Sequence, residues 1–461
     1  MGQGSYDLFA SKIEPLAPLS KRAECVLRVL AMRTAKLRGQ EARWRSWAPS
    51  WLASHRPSRL LLPKPPGSPP SLTAPARRHV AREDLKKRIS TTAIAFRGYD
   101  VTNMGRSAEF LDHAAYAPIV RATLESASAL CSDALGKKVD LIARLLANEA
   151  SDLSTFVQDI GTVVGMQVAQ FRILEQVFDI PVRQARLSFG HSIGELSALV
   201  LGGVYEMEQL LPVPLSLATG CAELTADTSL GILSVHGAML QIEAVEHLCA
   251  SISRHGHGLI GPSTYLSPYQ VLLIGQHDTL NMLEKEMHDY LPEGVTLRRR
   301  PNHWPPLHTP IVWERNIPNR TAIAMHHVGG GDRKPSPTIV SCATGSASYD
   351  EWNSRAILAD WTDHPQRLWD VMENTLASGA EIVLHVGPDP KLFPMGFDRL
   401  SNRIMKQLKM RHLDRLGSSV IPSLSRNSWL NRKLPANAVL LRAPFLNHII
   451  LEDWLLAQEV A

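Results

Sequence analysis

The sequence predicts an α/β protein, a parallel sheet with a ferredoxin-like subdomain inserted into it. Three observations lead there. Short apolar runs at 91–96, 186–189 and 381–386 alternate with longer segments of helical periodicity. Between 229 and 300 that alternation gives way to a β-α-β-β-α-β order, the ferredoxin-like arrangement. The α/β pattern then resumes with Thr338-Ile-Val-Ser and a helix near 366–379, and no internal repeat interrupts it.

Residues 1–90 stand apart from this body. They hold 18 Lys+Arg against 6 Asp+Glu in a chain whose net charge is only +5, so a basic extension precedes a mildly acidic remainder. Residues 20–48 lack proline and mix Val26, Leu27, Val29, Leu30 and Met32 with many basic residues, the pattern of a basic amphipathic helix. Seven prolines between 57 and 75 then forbid a helix and predict an extended linker. Trp44, Trp47 and Trp51 form no stacking motif, so the segment is expected to be a poorly ordered extension and not a nucleic-acid-binding arm.

The body begins at Thr91. The strand Thr91–Phe96 is ended by Gly98 in a loop running to Gly105; a helix over 155–178 follows, and Arg186–Phe189 forms the next strand. Within 229–300 the spacing predicts a strand from Gly231, a helix near 241–254, strands near 257–261 and 269–274, a helix at 277–290 and a strand at 295–299. The core is therefore 91–228 with 301–408. Residues 409–461 form a C-terminal extension whose stretch 438–456 is too apolar to stay free, so it is expected to pack on the body or meet a partner.

Hydrophobic content of 44% and charged content of 20% are ordinary for a globular chain. No apolar run is long enough for a membrane helix, and the first twenty residues lack the apolar stretch of a secretory signal. The five cysteines are scattered, without a CxxC pair or a histidine cluster, so neither zinc nor a disulfide framework is expected. A reducing cytoplasm is the simplest location.

The chemistry concentrates in Gly190-His191-Ser192-Ile193-Gly194-Glu195, placed between the second strand and a helix carrying Leu196, Leu199 and Val200. A serine on a sharp strand-to-helix turn needs glycine two residues to either side, because side chains there collide with neighbouring backbone. The hydroxyl is then exposed at a helix N-terminus, where the Ile193 amide and the helix dipole can stabilise an oxyanion. This turn predicts an α/β-hydrolase-like core.

Gly190–Val204 (GHSIGELSALVLGGV) resembles the nucleophile elbow of malonyl-CoA:acyl-carrier-protein transacylases and of the acyltransferase domains of fatty-acid and polyketide synthases. Pro306-Leu307-His308-Thr309-Pro310-Ile311-Val312 is similar to that family's histidine segment. Leu266-Ser-Pro-Tyr-Gln270-Val271 looks like its small-subdomain strand, and His385-Val-Gly-Pro388 like its C-terminal turn. The four occur in the family's order over about residues 91–408. The resemblance implies Ser192 as nucleophile and His308 as general base, with the imidazole oriented by a backbone carbonyl from Trp361–His364. It implies oxyanion donors at the Ile193 and Tyr99 amides and substrate contacts from Gln270, Leu217 and Leu307. It further implies acyl-CoA and an acyl carrier protein as substrates, no resident cofactor or metal, and a monomer or a component of a biosynthetic complex, with no nucleic-acid or membrane partner. His303 is the alternative base; His191, adjacent to the serine, is expected to be structural.

Two departures qualify the resemblance. The family's glutamine-glycine oxyanion loop corresponds to Phe96-Arg97-Gly98-Tyr99-Asp100, so Gly98 remains and Asp100 replaces the second glycine. Malonyl-using members carry an arginine that pairs with the malonyl carboxylate; here the position falls at or beside Leu217, and no Arg or Lys occurs between Arg186 and Arg254. An unpaired buried carboxylate costs several kcal/mol, so the expected cargo is an uncharged acyl group. The triplet Arg298-Arg299-Arg300 is a candidate attractor for an acidic carrier. Two other readings stay open: an inactive transferase-like binding protein, and a serine esterase using His448.

Overall fold

The computed structural model describes residues 81–99, 104–236, 239–300, 303–410 and 439–460. All of them belong to the second of the chain's two compact units, Arg77–Ala461.

The first described helix, α1 (Arg82–Lys87), leads into β1 (Thr92–Phe96), every residue of which is buried. The extension expected to end at residue 90 therefore overlaps the body, because Leu85 and Ile89 sit in the main core. Helices α2 (Ala117–Leu135) and α3 (Phe156–Gln176) follow. α3 is apolar nearly all round because it packs between α2, α4 (Ile193–Leu201) and α5 (Pro212–Glu223). Strand β2 (Leu187–Gly190) feeds α4 across the serine turn. Pro212 and Pro214 occupy the first turn of α5, where a missing N–H costs nothing, so the helix continues through Leu217.

The inserted segment runs β3 (Thr228–Ser234), α6 (Ile242–Arg254), β4 (Ile260–Ser267), β5 (Gln270–Gln276), α7 (Thr279–Tyr290) and β6 (Thr296–Arg300). Its antiparallel sheet has the order β4-β5-β3-β6, the ferredoxin-like topology. Its own core gathers Leu233, Val245, Leu248, Ile252, Leu273 and Leu283.

After the insertion come α8 (Ile317–His327), α9 (Ser354–Trp361), α10 (Leu368–Ala377), β7 (Ile382–Val386) and α11 (Leu392–Met410). The strand expected at Thr338–Ser341 does not form. Ile339 makes only an isolated parallel bridge to Ser188. The backbone then turns away, Ser341 bridging back to Ser346 while the Glu195 carboxylate takes the Cys342 N–H at 3.1 Å.

The parallel sheet has the order β2-β1-β7-β8, and its last member, β8 (Asn447–Ile450), comes from the C-terminal extension. β8 pairs in register with β7 from Ile382–Asn447 to His385–Ile450. The following α12 (Leu451–Leu456) buries Leu451, Trp454 and Leu455 in the main core. Glu452 on α12 accepts from Asp389 N at 2.7 Å and Arg106 N at 3.1 Å. The segments at 1–80 and 411–438 lie outside the described residues, as does Asp100.

Candidate active site

Strands β1, β2 and β7 end at one level, with Phe96 in register with both Gly190 and Val386. That is the carboxyl edge of a parallel sheet, where α/β proteins place their sites. Ser192 stands there as the N-cap of α4 with φ 53° and ψ −123°. Holding an L-residue in such a conformation costs about 1–3 kcal/mol. The two glycines of the motif make it attainable. A Cβ on Gly190 would overlap the Gly194 carbonyl, and one on Gly194 would stand 2.5 Å from Phe96 O.

His308 comes from the loop before a 3₁₀ turn at Pro310–Arg315, which Thr309 caps by accepting from Ile311 N at 3.3 Å. Its own backbone is left-handed (φ 67°), held by an N–H donated to Thr362 O at 2.7 Å. The imidazole Nε2 lies 2.9 Å from Ser192 Oγ. Its Nδ1 lies 2.7 Å from the Trp361 carbonyl, which only accepts, so this contact selects the Nδ1–H tautomer and leaves Nε2 as acceptor toward the serine hydroxyl. Trp361 also donates its indole N–H to Ser192 O at 3.1 Å.

Burial, followed by the neighbouring His191 ring, pulls His308 down to about 3, against the Trp361 carbonyl and Asp363, which favour the cation. The imidazole is therefore neutral at ordinary pH, the state a base requires. Asp363 does not reach His308 as a third triad member: it accepts from Trp313 Nε1 at 2.7 Å and meets His364 Nδ1 at 2.9 Å.

Ile193 is the first residue of α4, where amides have no intrahelical acceptor. Tyr99 follows Gly98, which packs directly on His191, and its ring meets Phe156 edge-on at 4.7 Å. Leu217 is buried on α5, and Leu307 packs against the same core beside His308. Gln270 has its amide on Ser234 Oγ at 3.2 Å, within the small sheet and away from the serine–histidine pair. His303 takes Thr228 O as partner at 2.8 Å, and His448 meets His385 at 3.0 Å; neither is paired with Ser192. Arg298–Arg300 lie on the edge strand β6, with Arg299 ion-paired to Glu284 at 2.9 Å on the surface.

Two residues of the site escaped sequence reasoning. Glu195 closes the glycine motif, yet its carboxylate is fully buried and accepts from Cys342 N and, at 2.9 Å, from the Tyr349 hydroxyl. Burial raises its carboxyl to about 7. Gln366 is also fully buried; its Oε1 accepts from Ser192 N at 3.0 Å and its Nε2 lies 3.2 Å from His308 Nδ1. The only local signal was a polar residue between Pro365 and Arg367, which does not separate a buried glutamine from an exposed one.

No protein-family model and no curated protein matches the chain. Solved structures share its fold. FabD from Acinetobacter baumannii is 19% identical with a TM-score of 0.54, over 67% of this chain and 90% of that one. An acyl carrier protein S-malonyltransferase from Vibrio cholerae is 21% identical with a TM-score of 0.54, over 66% and 92%. The acyltransferase domain from the second module of the salinomycin polyketide synthase is 18% identical with a TM-score of 0.50, over 67% and 66%. At such identities the likeness establishes the transacylase fold. Among the described residues no helix is long and apolar enough to cross a membrane.

Proposed function

We propose that this chain is an acyltransferase, moving an acyl group from an acyl-CoA or acyl carrier to an acyl-carrier-protein thiol in fatty-acid or polyketide synthesis. The observation that carries the proposal is the 2.9 Å pairing of Ser192 Oγ with a buried, neutral His308 at a strained elbow, in a fold shared with an acyl carrier protein S-malonyltransferase.

In this reading Ser192 Oγ attacks the thioester carbonyl carbon while His308 Nε2 takes the hydroxyl proton. The Ile193 and Tyr99 amides receive the developing oxyanion. The C–S bond breaks, the imidazolium returns its proton to the departing thiolate, and an acyl-Ser192 ester remains. A carrier thiol enters, gives its proton to His308 and attacks the ester carbon, and the serine leaves with that proton. The Trp361 carbonyl, in place of an acid, holds Nδ1–H and so stabilises the transient imidazolium. No resident cofactor takes part, and a cytoplasmic location fits a chemistry that uses free thiols.

The acyl group is uncharged. α5 presents Leu217, and two guanidiniums that reach this helix do so from exposed positions: Arg320 from α8 donates to Ser216 O at 3.0 Å, and Arg315 pairs with Glu223 at 3.0 Å. A malonyl carboxylate would thus meet apolar surroundings, at a cost of several kcal/mol. The test is transfer of radiolabelled acetyl from acetyl-CoA to the thiol of a phosphopantetheinylated carrier protein. Transfer by the intact chain, lost in Ser192→Ala and reduced about 10²–10⁴-fold in His308→Ala, is expected. Hydrolysis to free acetate outpacing transfer would favour an esterase.

A further inference from the structure

We infer that Gln366 is a positioning residue that fixes the nucleophile's backbone and sets the basicity of His308 through its side-chain amide. The inference rests on the Ser192–His308 reading above and deepens it.

Four contacts converge on this one residue. Its backbone bridges to β4 of the inserted subdomain, Gln366 N donating to Ser263 O at 2.8 Å and Gln366 O accepting from Tyr265 N at 2.9 Å. Its side chain reaches the two reacting residues from that anchor. Ser192 N–H can only donate, so the atom 3.0 Å from it must be the amide oxygen, and the amide nitrogen then faces His308 Nδ1 at 3.2 Å. The orientation of the amide follows from chemistry and not from choice.

His308 Nδ1 has one in-plane site, which holds either a proton or a lone pair. Two partners contend for it: the Trp361 carbonyl at 2.7 Å favours a proton, and the Gln366 amide favours a lone pair. The shorter contact, to the carbonyl acceptor, wins over the amide donor, so Nε2 remains the base. The Gln366 N–H dipole still opposes the imidazolium, which carries protons on both nitrogens. Glutamine here weakens the base and lowers the population of the charged, inactive form. The other groups facing the ring are His191 on the elbow, which also opposes the cation, and Asp363, which favours it.

The same arrangement joins the insertion to the elbow. One residue thus links β4 at Ser263–Tyr265 to both Ser192 and His308.

The experiment uses the full chain with Gln366→Glu and the near-isosteric Gln366→Met. The first supplies an acceptor to Nδ1–H; the second removes the opposing donor and leaves Ser192 N–H without its acceptor. The rate of Ser192 labelling by a fluorophosphonate is measured between about pH 5 and 8, alongside ¹⁵N NMR of the imidazoles. In the parent chain the rate stays nearly flat across this range. In Gln366→Glu the acid limb rises into it, so labelling at the acid end falls by about tenfold or more, as expected for a limb near pH 6. Gln366→Met shifts the limb in the same direction by less and slows labelling at every pH. A folded Gln366→Glu and a folded Gln366→Met that both keep the parent's limb overturn the inference, whatever their rates. The NMR separates this from failure of the functional reading: a parent chain that does not label, but whose His308 titration moves with Gln366, refutes the enzyme assignment and leaves the positioning role standing.

Discussion

Gly194→Ala tests the elbow by geometry alone. The new Cβ would stand 2.5 Å from Phe96 O, whereas ordinary van der Waals contact begins at 3.4 Å, so close to an ångström must be found. β1 has little freedom to provide it. Phe96 is paired to Gly190 on one side and Val386 on the other, and its carbonyl accepts from His191 N at 3.2 Å. The elbow and α4 must move instead, and every residue of α4 is buried. Overpacking of this kind costs about 1–3 kcal/mol of stability. Its effect on chemistry is larger, because Ser192 Oγ leaves its 2.9 Å contact with His308, and a displacement of about 1 Å costs about 10²-fold in rate. The assay is the second-order rate of Ser192 labelling by a fluorophosphonate, with thermal unfolding beside it. Gly136→Ala is the control for labelling: a Cβ there meets nothing within 4 Å, and its left-handed φ of 62° confines the effect to a stability loss of about 1 kcal/mol. About 100-fold slower labelling is expected in Gly194→Ala, with a cooperative but lowered melt, and unchanged labelling in the control. Labelling within about twofold of the parent at an unchanged melting temperature would refute it.

His308 is pulled below its usual 6.5 to about 3 in the folded chain. The unfolded chain takes up that proton first as pH falls, so the stability His308 contributes is present above 6.5 and lost toward 3. Urea midpoints should therefore fall between about pH 7 and 5 more steeply in the parent than in His308→Ala, and equal slopes would contradict the depressed value. Glu195→Ala leaves Cys342 N–H and the Tyr349 hydroxyl without their acceptor. It should cost about 3 kcal/mol in denaturant unfolding, and a loss under about 0.5 kcal/mol would show that the buried carboxylate is dispensable. Trp454 is buried on α12 and meets the Phe178 ring at 5.4 Å. Trp454→Ala should cost about 3–5 kcal/mol if the C-terminal segment is part of the core, and a near-neutral change would return that segment to the status of an appendage.

What could be read from the sequence was what is local. The elbow was legible because strand, glycine-flanked serine and apolar helix are consecutive, and their steric requirement is written in the spacing of Gly190, Ser192 and Gly194. The ferredoxin-like order was legible for the same reason, since each of its strands and helices carries its own periodicity. His308 was not local. It lies 116 positions from Ser192, and only the resemblance of its flanking residues singled it out over His303. The carbonyl at Trp361 was bounded to four residues by the same route. Gln366 and the partners of Glu195 were illegible because a polar residue betrays its burial only through the surfaces that close over it. β8 was hidden by its length: Asn447–Ile450 runs straight into α12, so the pattern read as one apolar tail. The strand expected at Thr338–Ser341 failed for a tertiary reason, because the Glu195 carboxylate and the Ser346 bridge claim the backbone groups that a ladder would have used.

The most direct test of the account is the intact mass of the protein after separate incubations with acetyl-CoA and malonyl-CoA. The predicted result is an acetyl adduct on Ser192, absent in Ser192→Ala and removed on addition of a carrier thiol, with malonyl-CoA giving little or none. No adduct from either donor, or an adduct from malonyl-CoA alone, would contradict it.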